Sequence, residues 1–329
     1  MVSSKFRIWS IRILSILLPL CLLLSLVEVV SRFIPPSLLV FRKLVEVTND
    51  TRPYILKSDI NMPFTGMYTK LSPPIEWRTN AQGLREDDFV TPRSNRFRIA
   101  TYGDSETFGW SVKSEDTFQK QMEAIDPQVE VINFGVPGYN IVNIADHLEK
   151  TAFPYHPNLI IYLVHKNDLD NSLKVSKIFR HSELLLKLRL LYQRWVINPK
   201  QKQLRRSPER QRLFAKEVDR LIQLCTQHHI PLILTFLNNR NEKIVREFGL
   251  QQPEITLHTS SSLSELLPTL QFVNVKRLLK KIPKKDHHLS SAALRTLAQK
   301  LCQIISGAPD GRCAPPTWTP QPFHRHSIM

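Results

Sequence analysis

Between Arg96 and Ile305, short apolar runs alternate with longer amphipathic stretches. That alternation narrows the possible folds more than any other feature of the chain. Strands separated by helices pair in parallel through right-handed crossovers. Phe97–Tyr102, Val129–Phe134, Leu159–Val164 and Pro231–Phe236 read as buried strands, and Phe272–Val275 as a fifth. Helices are expected over Asp116–Ala124, Ile141–Phe153, Ser182–Trp195, Glu209–His228 and Ser290–Ile305. In the second of these, Ile141, Ile144, Leu148 and Ala152 share one helical face. The expected fold class is α/β, three layers (α/β/α) with a central parallel sheet.

The rest of the chain divides around this domain. Residues 1–34 read as a membrane anchor. Ile13–Val27 is apolar apart from Ser15, Ser25 and Pro19, and with its flanks Ile8–Val30 it approaches the roughly 20 residues that cross a bilayer. No small-residue cleavage site follows, and Leu20 is too large to precede a lipoprotein cysteine at Cys21. An uncleaved, single-pass anchor is therefore expected. Lys5, Arg7 and Arg12 favour a cytoplasmic N-terminus, while Arg32, Arg42 and Lys43 dilute that bias. Pro35-Pro36 ends the anchor. Residues 35–95 read as an extended arm lying on the domain, 96–306 as the α/β domain, and 307–329 as a Pro-rich, poorly ordered tail.

Charge and cysteine usage limit the partners. The net charge of +16 points to something anionic: nucleic acid, lipid or acidic polysaccharide. Its two dense clusters, 200–212 and 276–285, lack the interleaved aromatics of a base-stacking surface. Nucleic acid is therefore not an expected partner, and the clusters read as solvated faces or as contacts with an anionic surface. The four cysteines show no C-x-x-C spacing. Cys21 lies in the anchor, Cys225 and Cys302 on helices. Cys302 and Cys313 are either free or, in an oxidising compartment, bridged.

Four pieces carry chemistry. Gly103-Asp104-Ser105 ends the first strand, at the sheet edge where open α/β folds bind ligands. Alone it reads first as an ordinary turn. Asn133-Phe134-Gly135-Val136-Pro137-Gly138-Tyr139-Asn140 follows the second strand and can present backbone N–H groups. Val164-His165-Lys166-Asn167-Asp168 follows the third. Lys284-Lys285-Asp286-His287-His288-Leu289-Ser290 precedes the last helix. Acyl transfer by serine needs a base, a carboxylate to hold the base, and donors for the oxyanion. These loops supply each kind.

On these four pieces the chain resembles the SGNH/GDSL hydrolase family, from roughly Asn80 to Ile305. The anchor, the arm and Asn80-Ala81-Gln82-Gly83-Leu84-Arg85 resemble its membrane-anchored bacterial members. The resemblance implies an SGNH-hydrolase-like, flavodoxin-like α/β/α fold and a serine esterase or deacylase. Ser105 would be the nucleophile, His288 the general base and Asp286 the residue orienting it. The Ser105 N–H, the Gly138 N–H and the Asn167 side chain would form the oxyanion hole. No metal or organic cofactor is implied. The implied location is the cytoplasmic membrane of a bacterium, with the domain outside it. The implied partner is an acyl ester on envelope glycan or lipid, or a small ester. An acyltransferase using the same serine and a catalytically silent glycan-binding module are the alternatives. Oligomeric state leaves no trace in the sequence.

Two positions depart from the family pattern. His165 stands where the third block usually has glycine. Asp286 precedes His288 by two residues where many members have three, and Lys285 fills that place. His287 is a rival base. Arg85 either sits on the surface or braces the site entrance. Asp104 reads as a turn residue and Asp168 as a backbone partner near Asn167. His156, His181, His228 and His229 read as solvent-facing.

Overall fold

A computed structural model describes residues 4–33, 43–48, 50–66, 71, 73–86, 90–91, 95–170, 203–247, 270–274, 276–279, 284–285, 288–307 and 312–315, with eight positions between 182 and 199. The strands are β1 (Val45–Glu46), β2 (Ile55–Leu56), β3 (Asn61–Phe64), β4 (Ile75–Arg78), β5 (Phe97–Gly103), β6 (Val129–Asn133), β7 (Leu159–Val164), β8 (Leu232–Phe236), β9 (Leu270–Asn274), β10 (Lys284–Lys285) and β11 (His288–Leu289). The helices are α1 (Ser4–Phe33), α2 (Ser105–Phe108), α3 (Phe118–Ile125), α4 (Ile141–Thr151), α5 (Pro208–Gln227), α6 (Asn239–Glu247), α7 (Lys276–Leu279) and α8 (Ser291–Ser306).

Five strands form a central sheet in the order β6-β5-β7-β8-β9, every neighbouring pair parallel. Side chains alternate between its faces with the period of two that a pleated strand imposes. Ala100, Tyr102, Ile160, Tyr162, Leu232 and Leu234 point into one apolar cluster, with α4 and α5. Ile99, Leu159, Ile161 and Ile233 point into the other, with α3 and α8. Both faces are thus covered, which is why β7 and β8 are buried throughout and mostly apolar rather than alternating. The molecule is a three-layer α/β/α fold, as the strand–helix alternation implied.

The helix ends follow local rules. Thr117 caps α3 and Ser207 caps α5 through their hydroxyls. Asn140 and Asn143 form a reciprocal capping box at the start of α4. The caps place α3 and α4 within two residues of their expected bounds. The short helix α6 was not anticipated; its sequence NRNEKIVRE is too polar to announce itself. Of Ser182–Trp195, the described positions Leu184, Leu185, Leu188 and Tyr192 are helical.

Residues of the arm pair as two small antiparallel ribbons, β1 with β2 and β3 with β4. Leu44, Tyr54, Phe64 and Trp77 are buried in the same cluster as α4 and α5. Trp77 stacks on Phe64 at 3.8 Å between ring centres and donates its indole N–H to the Trp110 carbonyl. Truncating a buried tryptophan of this kind costs about 3–5 kcal/mol. The arm therefore belongs to the core that supports the site.

α1 contains a stretch, Trp9–Ser31, that is 23 residues long and apolar enough to cross a membrane. Its leucines and isoleucines are exposed all round, so no face is suited to water. At the other end of the chain, Cys302 and Cys313 form a disulfide. The Cys313 and Ala314 N–H groups both donate to Asp126 Oδ2. These contacts fasten the start of the C-terminal segment beneath α3. Breaking the bridge by Cys302→Ser is expected to cost about 2–3 kcal/mol, the loop-closure value for a separation of 11 residues. Comparing melting with and without reductant measures it.

Candidate active site

β5 lies between β6 and β7, so the loops after these three strands emerge side by side at one sheet edge. Gly103 ends β5 with φ +154°, and a Cβ there would sit 2.1 Å from Thr107 Oγ1. A Cβ on Gly135 would lie 2.4 Å from the Phe108 backbone nitrogen. Both glycines are required for α2 to pack against the strand ends. Asp104 caps α2 by accepting from the Glu106 N–H at 2.9 Å. From Thr101 to Val112, Ser105 alone is not buried.

Ser105 Oγ lies 2.9 Å from His288 Nε2. His288 comes from β11, which pairs with β10 through Lys285↔His288. Its ring stacks on Trp110 at 5.6 Å and 28°. The next residue, Leu289, donates its N–H to Glu106 Oε2 at 2.9 Å. Glu106 is buried and follows Ser105 directly. The backbone of the histidine segment is thus tied to the turn that carries the serine. Asp286 and His287 lie outside the described residues, so the carboxylate partner and the rival base assigned from sequence are not placed.

The Gly-rich loop is held on both sides. Asn133 Oδ1 accepts from the Gly135 N–H, and the Val136 N–H donates to the Gly103 carbonyl. Gly138 has φ +83°, a conformation that favours glycine. From the arm, the Tyr54 hydroxyl donates to the Pro137 carbonyl, and the Tyr139 hydroxyl donates to the Tyr54 carbonyl. Glu86 accepts from the Asn133 N–H at 2.8 Å and pairs with Lys120 at 2.7 Å. Burial raises its pKa to about 7, with Lys120 opposing. Arg85 is buried rather than on the surface. Its guanidinium lies 4.3 Å above the Phe108 ring and donates to the Val112 carbonyl. The Asn80–Arg85 turn therefore braces the far side of α2.

The third loop is organised by His165. Its Nδ1 lies 2.9 Å from Asp104 Oδ2, and Asp104 is fully buried. The Asn167 side chain also hydrogen-bonds Asp104. Asp168 Oδ2 accepts from the His165 N–H and from the Tyr162 hydroxyl, both at 2.7 Å. Asn241 Nδ2 donates to the His165 carbonyl at 2.8 Å. Burial disfavours the imidazolium, but the Asp104 carboxylate overrides it and raises the His165 pKa to about 9. Burial likewise opposes the Asp104 charge, yet His165, the Glu106 N–H and Asn167 hold its pKa below the ordinary value. Asp168 is pushed well above the carboxylate range, by burial first and then by Asp104. Asp104 and His165 thus favour each other's charged forms, while Asp168 is driven toward its neutral form.

Sequence reasoning placed Asp104 in the turn and Asp168 on nearby backbone, but gave His165 no partner. Glu106 and Trp110 were missed. Their proximity to Ser105 along the chain was the available signal. His156, His228 and His229 are exposed, and His228 stacks on Phe153; His181 lies outside the described residues. Among the described residues no cluster of three His, Cys, Asp or Glu side chains could hold a metal ion. A cavity of about 340 Å³ lies between the arm and α4, beside Phe134 and the buried His147. Neither Ser105 nor His288 lines it.

This fold has neighbours among solved structures. They include GDSL lipolytic proteins and esterases. A GDSL-like lipase from Bacteroides thetaiotaomicron aligns at 11% identity and TM-score 0.40, over 64% of this chain and 88% of its own. A psychrotrophic esterase from a Pseudoalteromonas species aligns at 13% and 0.40, over 64% and 97%. An acetyl-xylooligosaccharide esterase from Geobacillus stearothermophilus aligns at 12% and 0.39, over 63% and 93%. No family model and no curated protein matches the chain.

Proposed function

We propose that this protein is a membrane-anchored serine esterase or deacylase of the SGNH/GDSL type, acting through an acyl-serine intermediate. The observation that carries the reading is the 2.9 Å approach of Ser105 Oγ to His288 Nε2, at the one accessible residue of an otherwise buried turn. That is the distance over which a histidine takes a hydroxyl proton.

In the proposed reaction, His288 Nε2 accepts the Ser105 proton as Oγ attacks the ester carbonyl carbon. The carbonyl π pair moves onto oxygen, and the N–H groups of Ser105 and Gly138 and the Asn167 amide stabilise it. Collapse expels the alcohol, which leaves with the proton from His288. Water, deprotonated by His288, then attacks the acyl-serine; the acyl–Oγ bond breaks, the acid is released, and His288 returns the proton to Ser105 Oγ. Asp286 holds the imidazole in the required tautomer. Asp104 takes one Asn167 donor and so fixes the amide that faces the oxyanion.

α1 is read as an uncleaved anchor, with the catalytic domain on the outer side of the cytoplasmic membrane. The Cys302–Cys313 bridge supports that side, because disulfides persist in oxidising compartments. An O-acyl group on envelope glycan or lipid is then the substrate within reach. The test is the full chain in detergent, assayed against acetyl, butyryl and longer acyl esters. Hydrolysis of at least one chain length is expected. A cooperatively melting protein that turns over none of them would overturn the esterase reading.

A further inference from the structure

In sequence, the stretch 171–206 follows Asp170, at the edge of the candidate site. Asp170, immediately before it, donates its N–H to the Asn167 carbonyl. Arg205, near its end, returns to pair with Asp170. Between them in sequence, two described residues contact α1. The Ser182 hydroxyl and the Leu184 N–H donate to Glu28 Oε2 of α1, at 2.7 and 3.1 Å. Glu28 lies three residues before Ser31, where the membrane-spanning stretch ends.

Its side chains follow a pattern. Leu185, Leu188, Tyr192 and Trp195 recur at steps of three, four and three residues, the spacing of one helical face. All four are exposed, Tyr192 at 56% and Trp195 at 74%. In water, such an apolar face on a soluble domain is an unfavourable arrangement. The same stretch, 171–206, contains ten Lys and Arg residues against a single acid, Glu183. A leucine and aromatic face combined with dense basic charge is the composition of a helix lying in a bilayer interface.

From the contact with Glu28, the exposed apolar face and the charge, we infer that the 182–199 segment is a second membrane contact, lying on an anionic lipid surface where α1 leaves the bilayer. The inference rests on the reading of α1 as an anchor and extends it to the catalytic edge. Tyr192 and Trp195 sit at headgroup depth, and the basic side chains meet lipid phosphates. Because Asp170, bonded to Asn167, precedes the stretch and pairs with Arg205 near its end, this contact holds the Ser105 edge close to the membrane. Acyl esters presented at the lipid surface then reach the site without crossing bulk water.

The test uses the full chain reconstituted into vesicles of phosphatidylethanolamine and phosphatidylglycerol. Spin labels are placed at Leu188→Cys and Trp195→Cys in a Cys21→Ser background. Cys21 itself, exposed on α1, is labelled in the unaltered chain. Collision with oxygen, which partitions into lipid, is compared with collision with a water-soluble nickel chelate. Oxygen is expected to dominate at Cys21 and at both segment positions. The segment's oxygen-to-nickel ratio is expected to fall at least threefold in vesicles of phosphatidylcholine alone, with Cys21 unchanged. Nickel-accessible labels at 188 and 195 with Cys21 in lipid would overturn the surface contact and leave the anchor standing. Labels shielded from both reagents would overturn it in favour of a protein partner. All three positions in water would overturn the contact and the anchor together.

Discussion

Ser105→Ala is expected to lower ester hydrolysis by about 10⁴- to 10⁶-fold, the loss seen when a serine nucleophile is removed from an acyl-transfer unit. Stability should hardly change. Ser105 is only half-buried, its carbonyl still accepts from the Trp110 N–H, and its hydroxyl bonds, among the described residues, only the partly buried His288 Nε2. Substitutions of this kind stay within about 0.5 kcal/mol. His288→Ala should cause a loss of similar size, and the double variant should be little worse than either single one. Residues that act as a unit are strongly non-additive. Rates on the best ester of the panel, with melting curves as controls, check this. Losses that multiply in the double variant would mean that the two side chains act separately.

The His165–Asp104 pair makes the second large effect, on stability. His165 is charged in the fold up to about pH 9, whereas a free histidine loses its proton near 6.5. A raised pKa means that folding binds a proton. Its stabilisation is therefore complete below about pH 6.5 and lost as pH rises through about 9. The shift corresponds to about 3 kcal/mol. Asp104 behaves in the opposite sense. Its folded pKa is depressed, so its contribution is present above about pH 4 and lost on acidification. The pair is most stabilising between those limits. His165→Gln keeps a donor for Asp104 but cannot carry the charge. It is expected to lower the melting temperature by about 6–12 °C at pH 6. The difference from the unaltered protein should close as pH passes about 9. Glu106 and Asp168 also face His165, and His165 in turn lowers the Asp168 pKa, so the difference reports the His165–Asp104–Asp168 cluster as a unit, while the decline from Glu86 is common to both proteins. A difference that stays constant to pH 10 would remove the charged pair from the account.

Much of the scaffold was legible because its signals are local. The apolar runs at 97–102 and 159–164 are long enough to demand burial on both faces. Glycines at 103 and 138 mark turns that other residues resist. The four chemistry-bearing loops could be ordered along the chain because parallel topology sends successive strand ends to one edge. What escaped depends on contacts between distant segments. Nothing near His165 in sequence announces Asp104, 61 residues away. Arg85 looks like a surface cation until Phe108 is folded against it. The arm reads as irregular because its ribbons are only two to four residues long and too short to show a period. Its burial comes from Tyr54 and Trp77, whose partners lie across the Gly-rich loop and the serine turn.

The central claim is that Ser105 is a nucleophile activated by His288. The most direct measurement exposes the full chain to an alkyl fluorophosphonate and maps the adduct by peptide mass spectrometry. Serine oxygen displaces fluoride from phosphorus only where a base removes its proton. The expected result is a single phosphonylated residue, Ser105, with labelling slowed at least a hundredfold in His288→Ala. An unlabelled Ser105 in the folded protein, or an adduct on another serine, would contradict the account.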